Sequence, residues 1–150
     1  MPREKSAGAV VFRMEGGEPL YLLLHYSGTG RRKKGYWDFP KGHIEQKETE
    51  QETVRREVSE ETGLRNLSFL EGFRERINYF FQKKGKRIFK VVVFYLARTR
   101  EKNVQVSFEH TGFQWVPFSE ALRQLTFGNA KHILKEAHHF LKPSLSPQSF

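Results

Sequence analysis

The sequence predicts one folded domain that mixes strands and helices, of α/β or α+β class, on three observations. Its 150 residues are the length of one ordinary domain. Short β-branched and aromatic runs, which favour strands, lie on both sides of a segment with helix start and stop signals. Fourteen Phe, five Tyr and two Trp supply the apolar mass for one core, and no internal repeat divides the chain.

The elements follow in order. Residues 7–12 (AGAVVF) and 20–25 (LYLLLH) read as two strands around the turn-rich MEGGEP. The next stretch, SGTGRRKKG, reads as an exposed charged loop in which RRKK at 31–34 is a weak nucleic-acid or localisation signal. Pro40 and Gly42 in YWDFPKG mark a sharp turn. Thr49 with Glu52 fits a capping box, and Gly63 fits a C-terminal cap, so a helix is expected from about Glu50 to Thr62. Its only apolar residues are Val54 and Val58, four apart on one face. Residues 73–81 and 87–98 read as a hairpin around KKGK, and 113–118 (FQWVPF) as a further strand. Ser119 is then expected to cap a helix reaching Leu141, with Gly128 as an interruption, before a frayed tail from about 143 to 150.

Composition narrows the chemistry. With no cysteine, disulfides and thiolate metal sites are excluded, and hard cations with oxygen ligands are favoured. The apolar run Ala7–Phe12 is too short for a signal h-region or a membrane span. A cytoplasmic protein with no membrane partner is therefore expected.

Charge is unevenly placed. Residues 42–64 hold seven Glu against Lys47, Arg55 and Arg56, a net of −4 in a chain of +9, which leaves +13 on the other 127 residues. Such a surround raises the local concentration of polyanions without choosing among them. On the expected helix Glu57, Glu60 and Glu61 stand at i, i+3 and i+4, so three like charges share one face, each pair costing about 0.2–0.5 kcal/mol. Glu52 has an i,i+4 match in Arg56, but no basic residue inside the helix compensates the other three at the positions that follow. A divalent cation would turn that repulsion into coordination, and Mg²⁺ or Mn²⁺ suits an oxygen-only set.

The spacing is more specific than a carboxylate cluster. Gly42, Glu48, Arg56-Glu57-Val58, Glu60-Glu61 and Gly63-Leu64 fill nine defined positions in 23 residues, and the pattern resembles the Nudix box at each of them. The resemblance implies a single Nudix domain over residues 1–150, an α/β/α sandwich with a mixed sheet. It also implies hydrolysis of a nucleoside diphosphate linked to another group. By resemblance Glu57, Glu60 and Glu61, with Gly42, make the metal site, and Glu48–Arg56 is an ion pair that aligns the helix.

The flanks YWDFPKGHIE, GFRERINYFF and SFEHTGFQW resemble the Nudix enzymes that cleave diadenosine tetraphosphate asymmetrically to ATP and AMP. In such an enzyme Lys41 and His43 contact the phosphate chain, and Tyr79 stacks on adenine. Lys83, Lys84, Lys86 and Arg87 cluster at the expected hairpin turn, where one or two of them, Lys83 first, are expected to reach the far phosphates. Phe113 stands where the family often has Tyr. Glu109 corresponds to an extra carboxylate that completes a metal site or helps activate water, and the sequence does not separate ligand from base among Glu57, Glu60 and Glu109. Two other readings stand beside this one. An RNA 5′-pyrophosphohydrolase would be favoured by the basic surround, with RNA as partner. A catalytically silent nucleotide- or RNA-binding module is disfavoured by the intact carboxylate trio.

Overall fold

The computed structural model describes residues 2–28, 30 and 33–145, and everything in it is arranged about one long strand. β1 (Arg3–Glu15) pairs in parallel with β6 (Lys86–Arg98) from Arg3–Phe89 to Phe12–Arg98. On its other edge β1 turns at Gly16–Gly17 into β2 (Glu18–Tyr26), but the two pair only from Glu15–Glu18 to Phe12–Tyr21. Beyond that point they part. β3 (Tyr36–Asp38) pairs with the far end of β2, and β4 (Lys41–His43) pairs with Ser6–Gly8 of β1.

The YWDFPKG turn is therefore two short strands joined at Phe39–Pro40, and the Pro40 carbonyl accepts from the Ala9 N–H at 3.1 Å. Proline has no N–H to give a ladder, which suits the linker and not the strands. β5 (Ser68–Lys83) joins β6 through Lys84–Gly85, and β7 (His110–Val116) pairs with β2. The result is a seven-stranded mixed sheet. Its parallel pair needs a crossover, and the segment holding α1 (Glu50–Thr62) and β5 provides it.

Both faces of the sheet are covered, which explains the unbroken apolar runs in β1 and β2. Ala7, Ala9, Val11, Leu22 and Leu24 pack on Val54 and Val58 of α1. The alternate residues Val10, Phe12, Tyr21 and Leu23 pack on the opposite face with Ala121 of α2 (Phe118–Gln124) and Ile133, Leu134 and Ala137 of α3 (Gly128–Leu145). This is the α/β sandwich with a mixed sheet that the sequence implied.

Several local expectations change. The strands are longer than their apolar cores, and β7 starts at His110 instead of 113. Ser119 lies inside α2, whose cap is Pro117, and the Pro117 carbonyl accepts from the Ala121 N–H at 2.9 Å. The interruption expected at Gly128 is present but falls just before it, at 125–127, and Gly128 starts the second of two helices. The helix continues to Leu145 where a frayed tail was expected from 143, and residues 146–150 lie outside the described set, as do Arg31 and Arg32 of the basic loop. Among the described residues no helix is long and apolar enough to cross a membrane.

Candidate active site

α1 is fixed at both ends by local chemistry. Thr49 Oγ1 accepts from the Glu52 N–H at 3.1 Å, and Glu52 Oε1 accepts from the Thr49 N–H at 2.8 Å. At the other end Gly63 takes φ 78° and its N–H donates to the Ser59 carbonyl at 2.9 Å, a left-handed position that glycine adopts at no steric cost. With Val54 and Val58 buried, the helix cannot rotate, and Glu57 and Glu61 turn toward β4 and β7 while Glu60 stays exposed.

Arg56 is the hub of this acidic segment. Its Nε donates to Glu48 Oε2 at 2.7 Å and its Nη2 to Glu48 Oε1 at 3.0 Å, a bidentate pair. Those hydrogen bonds pull the Glu48 carboxyl down to about 2. Arg56 Nη2 also donates to the His43 carbonyl at 3.0 Å, tying the helix to the loop before it. Its Nη1 lies 2.7 Å from Glu57 Oε1 and 3.4 Å from Glu60 Oε2. Two expectations are corrected here. Glu52 is taken up by the cap and does not pair with Arg56, and the charge that compensates Glu57 and Glu60 comes from Arg56 itself, one and four residues earlier.

Glu57 faces Gly42 of β4 so closely that a Cβ added there would lie 2.0 Å from the Glu57 carboxyl carbon. Only glycine fits. Burial raises the Glu57 carboxyl above the usual carboxylate range, the neighbouring Glu61 raises it further, and Arg56 opposes both. Glu61 is 5% exposed. Its Oε1 lies 3.2 Å from the Tyr26 hydroxyl and 3.1 Å from His110 Nε2, while its Oε2 is buried with no hydrogen-bond partner.

The trio expected to form one cluster is thus divided, since Glu57 and Glu61 adjoin and Glu60 points to Arg56. Among the described residues no three His, Asp or Glu side chains converge as a ligand set. The donors still fit a hard divalent cation in kind. An unpartnered, buried carboxylate oxygen is costly unless something charged meets it. Glu61 Oε2 is such an atom, on a carboxylate that adjoins the raised carboxyl of Glu57, which itself faces Gly42. Glu109 is exposed in the turn before β7.

On the opposite face of the sheet a cavity of about 530 Å³ opens between Tyr36, Asp38 and Lys41 on one side and Tyr79 and Phe127 on the other. Lys41 Nζ donates to Asp38 Oδ2 at 2.8 Å. Burial alone would lower that ammonium, and the Asp38 carboxylate outweighs it and raises it. Burial also raises the Tyr79 phenol. Beside the cavity, Glu4 stands among cations, with Lys83 and Lys90 Nζ at 3.5 Å and His43 Nε2 at 3.8 Å. Burial lowers both Lys90 and His43, and Glu4 opposes it.

The sequence thus located Lys41 and Tyr79 at the cavity and His43 and Lys83 in the cationic group. Phe113 stands apart from both. That residue, on β7, pairs with Leu24 of β2, and Leu24 packs against α1, so Phe113 faces the side of the sheet away from the cavity. The aromatic residues that line the cavity with Tyr79 are Tyr36, Phe127 and the buried Phe94. Sequence reasoning also passed over Glu4, Asp38, Lys90, Tyr26 and His110. Only Asp38 left a signal, as a carboxylate within an aromatic run.

The helix, its loop and the adjoining strands are the site of the Nudix proteins. The model of the NUDIX domain matches residues 2–136, and the chain belongs to that family, whose members generally need divalent metal ions. Among curated relatives it is 38% identical over 146 residues to the rat asymmetrical bis(5′-nucleosyl)-tetraphosphatase, covering 91% of this chain and 95% of that protein. Over 147 residues it is 33% identical to the mouse protein of the same description, with the same shares covered. A solved Caenorhabditis elegans Ap4A hydrolase in a binary complex superposes with a TM-score of 0.79 at 30% identity, covering 93% of this chain and 98% of that one.

Proposed function

We propose that the chain hydrolyses dinucleoside polyphosphates asymmetrically, diadenosine tetraphosphate first among them, giving ATP and AMP. The observation that carries this reading is the aromatic cavity of Tyr36, Tyr79 and Phe127, joined to the carboxylate helix by Lys41 and His43. A cavity that takes one adenine holds one end of a symmetric substrate and presents an off-centre phosphorus to water. The 30–38% identity to asymmetrical hydrolases over nearly the whole chain supports the same substrate.

The residues divide the work. Tyr79, with Tyr36 and Phe127, offers faces on which a base stacks. Lys41 and Lys83, joined by Lys90, neutralise the phosphate chain, and His43 offers it a hydrogen bond. Glu57 and Glu61, with the Gly42 backbone, would hold Mg²⁺ or Mn²⁺, and the exposed Glu60 and Glu109 would complete the set. When bound, the cation neutralises phosphate oxygens and lowers the pKa of coordinated water. One of Glu57, Glu60 and Glu109 takes a proton from the attacking water as its oxygen bonds phosphorus and the bridging P–O bond breaks. Glu48 and Arg56 hold the loop that positions His43 against the helix that carries the carboxylates.

A competition assay separates the substrates. Pure protein with Mg²⁺ is given diadenosine tetraphosphate and 5′-triphosphorylated RNA together, and products are resolved by ion-exchange chromatography. Consumption of the dinucleotide with the RNA end intact is expected. Pyrophosphate release from RNA with the dinucleotide intact would transfer the activity to RNA ends, and no product from either would leave a binding module.

A further inference from the structure

Glu61 is supported by residues that the box does not contain. The turn before β7 docks on the C-terminal end of α1 through its backbone. Gln105 N–H donates to the Thr62 carbonyl at 2.9 Å, and Ser107 N–H donates to the Glu61 carbonyl at 3.1 Å. These are carbonyls that a helix end leaves open. The same turn closes on itself, with His110 N–H donating to the Ser107 carbonyl at 3.0 Å, and it delivers the His110 ring to Glu61.

That ring is held from three directions. Ser107 Oγ lies 2.9 Å from Nδ1. The Tyr26 ring meets it edge-on, with centroids 4.4 Å apart at 65°. Nε2 is 3.1 Å from Glu61 Oε1, yet off the line of a formed hydrogen bond, so it is unpartnered in a residue only 6% exposed. The Ser107 hydroxyl is placed to donate to Nδ1, and the tautomer that accepts there carries its ring proton on Nε2, toward the carboxylate. Tyr26 approaches the same oxygen with its hydroxyl at 3.2 Å, while also lying 2.9 Å from the Phe39 carbonyl. The two groups that reach the Glu61 carboxylate from outside α1, Tyr26 and His110, therefore both meet Oε1, while Oε2, on a carboxylate that adjoins Glu57, has no hydrogen-bond partner.

We propose that His110, set by Ser107 and assisted by Tyr26, is a positioning residue that holds Glu61 by Oε1 so that Oε2 is presented to the divalent cation. The inference rests on Glu61 being a ligand of that cation, as in the proposed function. Outer groups of this kind fix the orientation of a ligating carboxylate before the metal arrives.

The test is Mn²⁺ binding to the whole chain, followed by the electron paramagnetic resonance of free Mn²⁺, alongside kcat and KM. His110→Phe keeps the ring volume against Tyr26 and removes the N–H. His110→Gln restores a donor near Nε2, and Ser107→Ala removes the partner of Nδ1. Glu61→Gln is the control, and metal-free thermal melts establish folding. His110→Phe is expected to weaken Mn²⁺ binding about 10- to 100-fold, with kcat recovering at saturating metal and the dinucleotide KM unmoved. His110→Gln recovers most of the affinity, and Ser107→Ala falls between. Mn²⁺ affinity in folded His110→Phe within about twofold of wild type, a difference under 0.5 kcal/mol, would overturn the inference while Glu61→Gln remains impaired. The inference is equally overturned if His110→Phe does not fold and Ser107→Ala binds like wild type. Wild-type affinity in Glu61→Gln would instead overturn the reading on which the inference rests.

Discussion

Replacing Gly42 by alanine separates the geometry of the site from the stability of the fold. Gly42 lies in β4 opposite Ala7, with φ outside the left-handed region, so alanine suits the backbone. Removing glycine also restricts the unfolded chain, a gain of about 0.4–1 kcal/mol. The new Cβ, however, would lie 2.0 Å from the Glu57 carboxyl carbon and 2.2 and 2.4 Å from its oxygens. Ordinary contact begins at 3.4 Å, so the carboxylate must withdraw by the difference of 1.4 Å. It is the free end of a flexible side chain, and an off-rotamer adjustment costs about 0.5–1.5 kcal/mol. Gain and cost nearly cancel, so Tm should stay within about 4 °C of wild type. Catalysis should not survive as well, because misplacing a reacting group by about 1 Å costs about 10²-fold. The assay is ATP release from diadenosine tetraphosphate in Mg²⁺, read by luciferase, beside a thermal melt. A variant of wild-type Tm whose kcat/KM falls by less than about fivefold, or 1 kcal/mol, would refute the placement of Glu57 in the chemistry.

Three further outcomes follow from the structure. Glu50 accepts from Arg74 at 2.9 Å twice and from Tyr95 at 2.6 Å, with Lys5 at 2.8 Å, and those hydrogen bonds hold its carboxyl well below the ordinary 4.5. A depressed carboxyl stabilises the fold above its unfolded pKa and loses that effect as pH falls toward the folded one. The urea midpoint of wild type should therefore exceed that of Glu50→Gln at pH 7, by roughly 1 kcal/mol in free energy, and the gap should shrink steadily below pH 4.5. Thr49→Ala removes the helix cap and should cost about 1 kcal/mol, seen as a Tm lower by about 2–4 °C. Tyr79→Ala should raise KM for the dinucleotide about tenfold through the loss of roughly 1.4 kcal/mol of stacking, with Tyr79→Phe close to wild type; equal KM values for both would place the base elsewhere.

What the sequence made legible was local. The limits of α1, its capping box and its glycine cap depend on residues within one turn of each other, and they stand where spacing put them. Errors arose where one residue had two local uses. Glu52 satisfied both a cap and an i,i+4 pair on paper, and the fold uses it for the cap, leaving Arg56 to Glu48. Ser119 was similarly a good cap beside Pro117, whose extended conformation already ends the strand and starts α2. The cavity was hidden for a different reason. Tyr36, Tyr79 and Phe127 come from β3, β5 and the connection before α3, and only the sheet order brings them together. Which face Phe113 takes was hidden too, because one position along a strand exchanges the two sides of the sheet and only its pairing with Leu24 sets it on the side of α1.

The same separation by distance explains why the support of Glu61 was missed. Tyr26 and His110 lie 35 and 49 positions from it in the chain, and each is an ordinary residue in its own strand. Their meaning comes from the sheet order, in which β7 runs along one edge of β2 and brings His110 beside Tyr26, while the parting of β1 and β2 leaves room on the other edge for β3. The basic surround then has a use, drawing a polyphosphate toward an opening where Lys41, His43 and Lys90 are already arranged.

Asymmetric cleavage by water is tested most directly by hydrolysis of diadenosine tetraphosphate by the pure chain with Mg²⁺ in ¹⁸O-labelled water, with the products identified by ion exchange and mass spectrometry. Equal amounts of ATP and AMP are expected, with one ¹⁸O bound to phosphorus in one of the two products. ADP as the main product, or an intact dinucleotide, would contradict it.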